Sequence, residues 1–240
     1  MMKKLLTLFV ASVMASGAVA QLDIAALASA MDNPGRPAAD KERDSNRKAP
    51  EVLSFLGLEA GMTAMDLIAI GGWYTEVLSY AVGDSGKVIM QNNPGRFVDN
   101  NMEIINDRLS RRSNIEHHLG PVSDVAAGSV DFALTALNFH DVHNPNPAAA
   151  QGFLGQIATA LKPGGILGVI DHAGNHGADN VTLHRIAFED AVSAIVNSGQ
   201  FALVGSADIL DNPADDHSVG PFDPSLGRNT DRFVLKFVKL

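Results

Sequence analysis

The 240-residue chain contains no cysteine. It therefore has neither disulfides nor thiolate ligands, and any metal must be held by histidine, aspartate, glutamate or backbone oxygen. Basic residues are scarce: 18 Lys and Arg against 27 Asp and Glu give a formal charge of -9. A negative field repels phosphate backbones and anionic lipid, which argues against nucleic acid or a membrane surface as a general partner. Long hydrophobic runs are missing too. The apolar run Leu5 to Met14 is shorter than the roughly 20 residues that span a bilayer, and no later stretch approaches that length without charges or glycines.

What is present begins with that run. Lys3 and Lys4 precede it, and the small-residue triplet Ala18-Val19-Ala20 closes it before Gln21, as in a secretory signal peptide. The expectation is an exported, periplasmic protein that does not insert in the membrane once residues 1–20 are removed. Loss of Lys3 and Lys4 would move the charge from -9 to -11. Residues 21–49, with DKERDSNRK as their most charged part, read as a polar leader or N-terminal helix. Residues 50–240 read as one domain, since no repeat or linker divides them.

From Glu51, the spacing of Val52, Leu53, Phe55 and Leu56 predicts a short helix that stops by Gly61. Beyond it, β-rich runs alternate with amphipathic stretches. Strands are expected at Thr63 to Ile70, Lys87 to Gln91, Asn114 to His118, Val130 to Leu137, Gly165 to Asp171, Phe201 to Ala207 and Arg232 to Val238. Helices are expected at Trp73 to Val82, Phe97 to Arg111, Pro147 to Leu161 and Val181 to Ser198. This alternation implies an α/β fold with a mostly parallel sheet and helices on both faces. In the last run Phe233, Leu235 and Phe237 alternate with partly polar neighbours, as in an edge or antiparallel strand. The irregular segment Ile209 to Thr230 reads either as a lid or binding loop or as an acidic surface loop.

In such a sheet, ligands bind beyond the carboxyl ends of the strands. After the first strand stand Gly71, Gly72, Trp73, Tyr74, Thr75 and Glu76, where paired glycines let backbone approach a ligand at a helix N-terminus. At the end of the second come Gln91, Asn92 and Asn93, amides suited to a polar ligand or to a plain turn. After the fourth comes Asn138-Phe139-His140-Asp141-Val142-His143. Imidazole titrates near neutral pH, so His140 is a candidate general base with Asp141 orienting it. Asp171, His172, His176 and His184 follow, so five of the eight histidines fall between positions 140 and 184. A divalent metal held by His140, His143, Asp171 and His172 is the alternative reading of that cluster.

The segments RDSNRKAPEVLSFLGLEAGM, DLIAIGGWYTEVL, LNFHDVH, LKPGG, LHRI and TDRFVLKF, in this order, resemble the class I S-adenosylmethionine (SAM) dependent methyltransferases over residues 50–240. More narrowly, they resemble a bacterial family of exported predicted methyltransferases. The resemblance implies a Rossmann-like, doubly wound sheet of seven strands in the order 3-2-1-4-5-7-6, the last antiparallel. It implies SAM as cofactor and a small molecule as methyl acceptor. The glycine loop would hold the methionine part of SAM, an acid after strand two the ribose, and residues after strand four the transfer site. Carried over, the cofactor positions are Asp66 to Gly72, Tyr74, Gln91, Asn92 and Asn138, with His140 and Asp141 catalytic. The superfamily pattern has glycine where this chain has Ile68 and Ile70, and an acid where it has an amide. A methyltransferase-like protein that binds another ligand, or a metal, without methyl transfer is the second expectation. The oligomeric state is left open.

Overall fold

The computed structural model describes residues 21–240; the signal-peptide reading falls on residues 1–20, outside the described residues. The central strands lie between two helix layers and are apolar on both faces. In β4 (Val130–Ala136), Phe132 and Leu134 pack toward one layer and Ala133 toward the other. In β1 (Thr63–Leu67), Ala64 faces the first layer while Met65 and Leu67 face the second. Burying each large apolar side chain stabilises by about 1.5–3 kcal/mol. A one-residue slip would exchange the two faces.

The remaining strands are β2 (Lys87–Asn92), β3 (Ile115–Leu119), β5 (Leu161–Gly174), the two-residue β6 (Ile186–Ala187), β7 (Phe201–Ala207) and β8 (Arg232–Lys239). They run in the order β3-β2-β1-β4-β5-β8-β7, with β6 beside the end of β5. All pairings are parallel except those of β8, which lies antiparallel between β5 and β7. Setting aside β6, this is the expected Rossmann-like order with an antiparallel last strand.

One face carries α1 (Ile24–Met31), α4 (Ala49–Leu56) and α5 (Trp73–Val82); Leu27, Met31, Leu53, Leu56 and Leu78 are buried there with Phe132. The other carries α8 (Phe139–His143), α9 (Pro147–Ala160) and α10 (Phe188–Val196), with Phe139, Leu154, Ile157 and Ile195 packed on Met65 and Phe237. The short helices α2 (Ala38–Lys41) and α3 (Asp44–Arg47) complete the N-terminal segment, and α6 (Arg96–Asp99) precedes α7 (Met102–Arg111). Among the described residues no helix is long and apolar enough to cross a membrane.

The structure departs from the expected elements in two of the helices. The helix expected over Phe97 to Arg111 divides into α6 and α7 around Asn100 and Asn101. The helix expected from Val181 starts only at Phe188, because Arg185 is drawn inward. Its guanidinium bonds both carboxylate oxygens of Asp215 at 2.9 Å and the Ala173 carbonyl at 2.8 Å. His184 thus stands in a turn before β6 and not at a helix start, with φ 49°. The same ion pair ties the long segment 209–230 to the sheet.

The first strand ends at Leu67, three residues early, because Ile68 and Ile70 both have φ 51°. That left-handed conformation is where glycine would be at ease, and it costs a branched L-residue on the order of 1–3 kcal/mol. The sheet-end loop therefore keeps a glycine-type backbone without the glycines. Gly72 does need to be glycine: its φ is 71°, and an added Cβ would lie 2.5 Å from the Met90 methyl. Relief of strain predicts that Ile68→Gly and Ile70→Gly leave unfolding free energy unchanged within about 1 kcal/mol, or raise it. Ile105→Ala, at a fully buried position, should lose about 2–5 kcal/mol. Urea denaturation of the three variants checks this; comparable losses in all three would mean that the isoleucines are unstrained.

Candidate active site

The loop after β1 owes its shape to two buried amides on β2. Gln91 Oε1 accepts from Ile68 N–H at 3.0 Å, and its Nε2 donates to the Gly120 carbonyl at 2.8 Å. Asn92 Oδ1 accepts from Ile70 N–H at 2.7 Å. Both side chains are fully buried. They face the loop backbone and do not line the cavity beside it, so the position expected to meet a ribose serves instead to hold the strained turn. Arg108 braces the far side, donating from Nε to the Gly71 carbonyl at 2.9 Å.

Above this loop lies a cavity of about 380 Å³. Its floor is Asp66, Ile68, Ile70, Gly71 and Gly72; Tyr74 and Asn138 form part of its walls. Asn138 bridges the ends of β1 and β4, donating from Nδ2 to the carbonyls of Ala136 at 2.9 Å and Ile68 at 3.3 Å. Asp66 is buried, and Thr75 Oγ1 donates to it at 2.6 Å. Burial pushes its pKa up to about 6, against the opposing pull of the Thr75 hydrogen bond and of Arg47 and Arg108.

A second cavity, of about 330 Å³, adjoins the first and shares Arg43, Arg47, Leu137 and Phe222 with it. It adds Glu42, His172, Arg228, Thr230 and Arg232, so four guanidinium groups face one carboxylate in an otherwise acidic protein. Arg47 lies 4.4 Å above the Trp73 ring and 5.1 Å from that of Tyr74, contacts that hold a cation without neutralising it. Burial lowers its pKa to about 10, which still leaves it charged at neutral pH. The exposed Phe222, on segment 209–230, borders both cavities.

His140 lies behind this wall and lines neither cavity. Its Nδ1 is 2.7 Å from Asp171 Oδ1 and its Nε2 3.2 Å from Asp141 Oδ1. Burial would lower its pKa, but the hydrogen bonds and charges of Asp141 and Asp171 outweigh burial and raise it to about 10. An imidazole already protonated at neutral pH accepts no proton, so the geometry does not suit His140 to the general-base role. The neighbouring His172 has the complementary properties. Its ring centroid is 5.7 Å from that of His140, its Nδ1 sits 2.6 Å from Thr230 Oγ1, and it borders the second cavity. Burial, reinforced by the positive charges of His140, Arg232 and Arg185, lowers its pKa well below the usual value. His172 is therefore a neutral ring at the cavity.

The four residues of the alternative metal reading do not converge. His143 turns to Asn144 Oδ1 and stacks on Phe139, and Asp171 is buried against His140 and the backbone N–H of His172. Arg43 and Arg47 were hidden in a segment that reads as solvated leader, and only their four-residue spacing hinted at a shared helix face. Arg228 lies in the irregular segment, and nothing local marks its approach to the cavity.

Similarity to solved structures agrees with this architecture. A SAM-dependent methyltransferase from Aquifex aeolicus superposes with a TM-score of 0.63 at 19% identity, over 91% of this chain and 99% of that one. One from Mesorhizobium loti gives 0.54 at 13%, over 79% and 96%. The [4+2]-cyclase SpnF gives 0.58 at 15%, over 87% and 85%. No family model matches the sequence, and no curated protein matches it. The chain has the fold of class I SAM-dependent methyltransferases.

The buried carboxyl of Asp66 gives a signed pH prediction. Its pKa in the folded protein, about 6, exceeds the ordinary 3.8, so its contribution to stability is fully present below about pH 4 and is lost as pH rises through 6. Asp66→Asn keeps an acceptor for Thr75 and removes the ionisation. Relative to wild type, the variant should gain on the order of 2–3 kcal/mol between pH 4 and pH 7. Denaturant unfolding across that range measures the difference, and a gap that does not vary with pH would mean that Asp66 ionises normally.

Proposed function

We propose that the chain is a SAM-dependent methyltransferase of a small molecule. One observation carries the reading: the loop after β1 keeps its left-handed turns at Ile68 and Ile70 although neither residue favours them. Strain of this kind persists where the shape is used, and this shape floors a strand-end cavity of ligand size.

The residues present fit the amino-acid end of the cofactor. Arg43 and Arg47 offer guanidinium groups for its carboxylate, and Asp66, ionised above about pH 6, offers a partner for its ammonium. When bound, SAM supplies an electrophilic methyl group. The remaining work belongs to the protein. Asn138 and Leu137 hold the acceptor side of the wall, and the neutral His172 can orient an oxygen or nitrogen nucleophile by accepting its hydrogen bond. Arg228 and Arg232 favour an acceptor with negative charge, and the exposed Phe222 offers an apolar edge where the two cavities meet. Most of the rate gain would come from alignment.

Export to the periplasm, proposed from Lys3, Lys4 and the Ala18-Val19-Ala20 triplet, belongs to the same reading, as does kinship with exported bacterial methyltransferases. A second reading is favoured by a different observation. Gln91 and Asn92 are buried and engaged where a ribose-binding acid would stand, so a small anion could occupy the cationic cavity without any nucleoside. SpnF, with the same fold, is a cyclase, and fold alone does not choose between these readings.

Calorimetric titration of the full chain with SAM and with its demethylated product separates them. Methyl transfer expects saturable binding of both at one site, weakened at least tenfold by Arg47→Ala. His172→Ala should lower turnover far more than SAM affinity. Absence of heat with both ligands, together with binding of a small carboxylate or phosphate, would establish the second reading.

A further inference from the structure

Apart from the two cavities, the turn before β6 brings His184 to the end of α8. Its Nδ1 lies 3.0 Å from Asp141 Oδ1, and His140 Nε2 lies 3.2 Å from the same oxygen. The donor atoms of these three residues all fall within 4.8 Å of one another. We propose that His140, Asp141 and His184 bind a divalent first-row transition metal, with zinc the preferred probe.

The spacing suits coordination. Nitrogen and oxygen ligands at roughly 2.0–2.1 Å around a tetrahedral ion stand about 3.3–3.4 Å apart; the two nitrogen–oxygen separations need to open by only a few tenths of an ångström, and the two imidazole nitrogens, within 4.8 Å of each other, need to settle to the same spacing. Two imidazoles and one carboxylate are a donor set that first-row divalent ions take readily.

The surroundings support the ligands. Asp171 Oδ1 holds His140 Nδ1 at 2.7 Å, which turns Nε2 toward Asp141; a metal bound there would displace the Nε2 proton, so zinc binding should release a proton. Asp171 is itself fixed by the backbone N–H groups of His140 and His172, each at 2.8 Å. A buried carboxylate behind a histidine is the usual orienting partner of a metal-bound imidazole. His184 is set by the chain beside it. Its left-handed backbone, φ 49°, is an uncommon state for a residue other than glycine, and the locked Arg185 next to it maintains that state. The side chains of Asp141 and His184 are 55% and 54% exposed, so an ion could enter from solvent and would keep at least one position for water.

None of the three residues lines either cavity, and the site stands whether or not the chain transfers methyl groups. The experiment uses the full chain, purified without a metal-affinity tag or chelator and titrated with zinc chloride by calorimetry, with magnesium chloride as a control. The expected result is one zinc per chain, a rise in melting temperature on zinc addition, and no saturable magnesium binding. Affinity should fall at least tenfold in His184→Ala. That residue is exposed, so its circular dichroism should match wild type. Asp171→Asn should weaken zinc about 10–100-fold, and His176→Ala, which alters an exposed histidine outside the cluster, should change nothing. No saturable zinc binding, or binding that survives His184→Ala and Asp141→Asn but is lost in His176→Ala, would overturn the proposal.

Discussion

The candidate site depends on two side-chain amides that hold a loop in a shape its own residues resist. Ile68 and Ile70 occupy left-handed backbone conformations, each unfavourable by about 1–2 kcal/mol. Opposing this, Gln91 and Asn92 accept hydrogen bonds from the N–H groups of those same residues, and each such bond contributes about 0.5–1.5 kcal/mol net. The two sets of terms nearly balance. Burial of the amides tips the balance, because an unpaired amide inside the protein would cost more than the bond gains. The strand-end cavity is therefore a consequence of side chains on the neighbouring strand.

The second organising feature is a local reversal of charge. The chain is acidic overall, yet Arg43, Arg47, Arg228 and Arg232 gather around one cavity with a single carboxylate among its lining groups. Several other arginines are neutralised: Arg36 by Asp44, Arg108 by Asp40 and Glu76, and Arg185 by Asp215. Arg47 instead rests on the faces of Trp73 and Tyr74, which support the cation and leave its charge available. The same economy of charge sorts the histidines. His140, between two aspartates, is held as a cation, and the resulting positive charge helps keep His172 neutral. Two rings less than 6 Å apart thus take opposite protonation states, and the one at the cavity is the neutral one.

Much of the architecture was legible because it rests on local periodicity. Runs such as Val130 to Leu137 alternate in step with helices such as Pro147 to Leu161, and an apolar strand between two helix layers has few alternatives to a parallel sheet. Phe233, Leu235 and Phe237 marked the antiparallel strand for a similar reason. Periodicity failed at Ile68, Asn100 and Arg185. At Ile68 and Arg185 a polar contact with a residue distant in sequence outweighed propensity; after Asn100 the helix breaks because Asn101, with φ -111° and ψ 7°, leaves the helical range. The site was less legible than the fold. Asp66, Gly71, Gly72, Tyr74 and Asn138 lie at the strand ends where a ligand would be sought and do border the first cavity. Gln91 and Asn92 stand at the expected strand end but turn inward. His140 was singled out for its residue type, and its protonation is set by burial, by the adjacent Asp141 and by Asp171, thirty-one positions away.

By itself, then, the amino-acid order determined the strand and helix succession, the cysteine-free chemistry, the acidic balance and the strand-end positions where a ligand would bind. Those properties follow from composition and from patterns within a few residues. Only the tertiary structure decided that Gln91 and Asn92 face the loop, that Arg43 and Arg47 border the cavity with Arg228, and that His184 joins His140 and Asp141. Each depends on the direction of a side chain and on the charge of groups brought close by folding, and neither has a sequence period to reveal it.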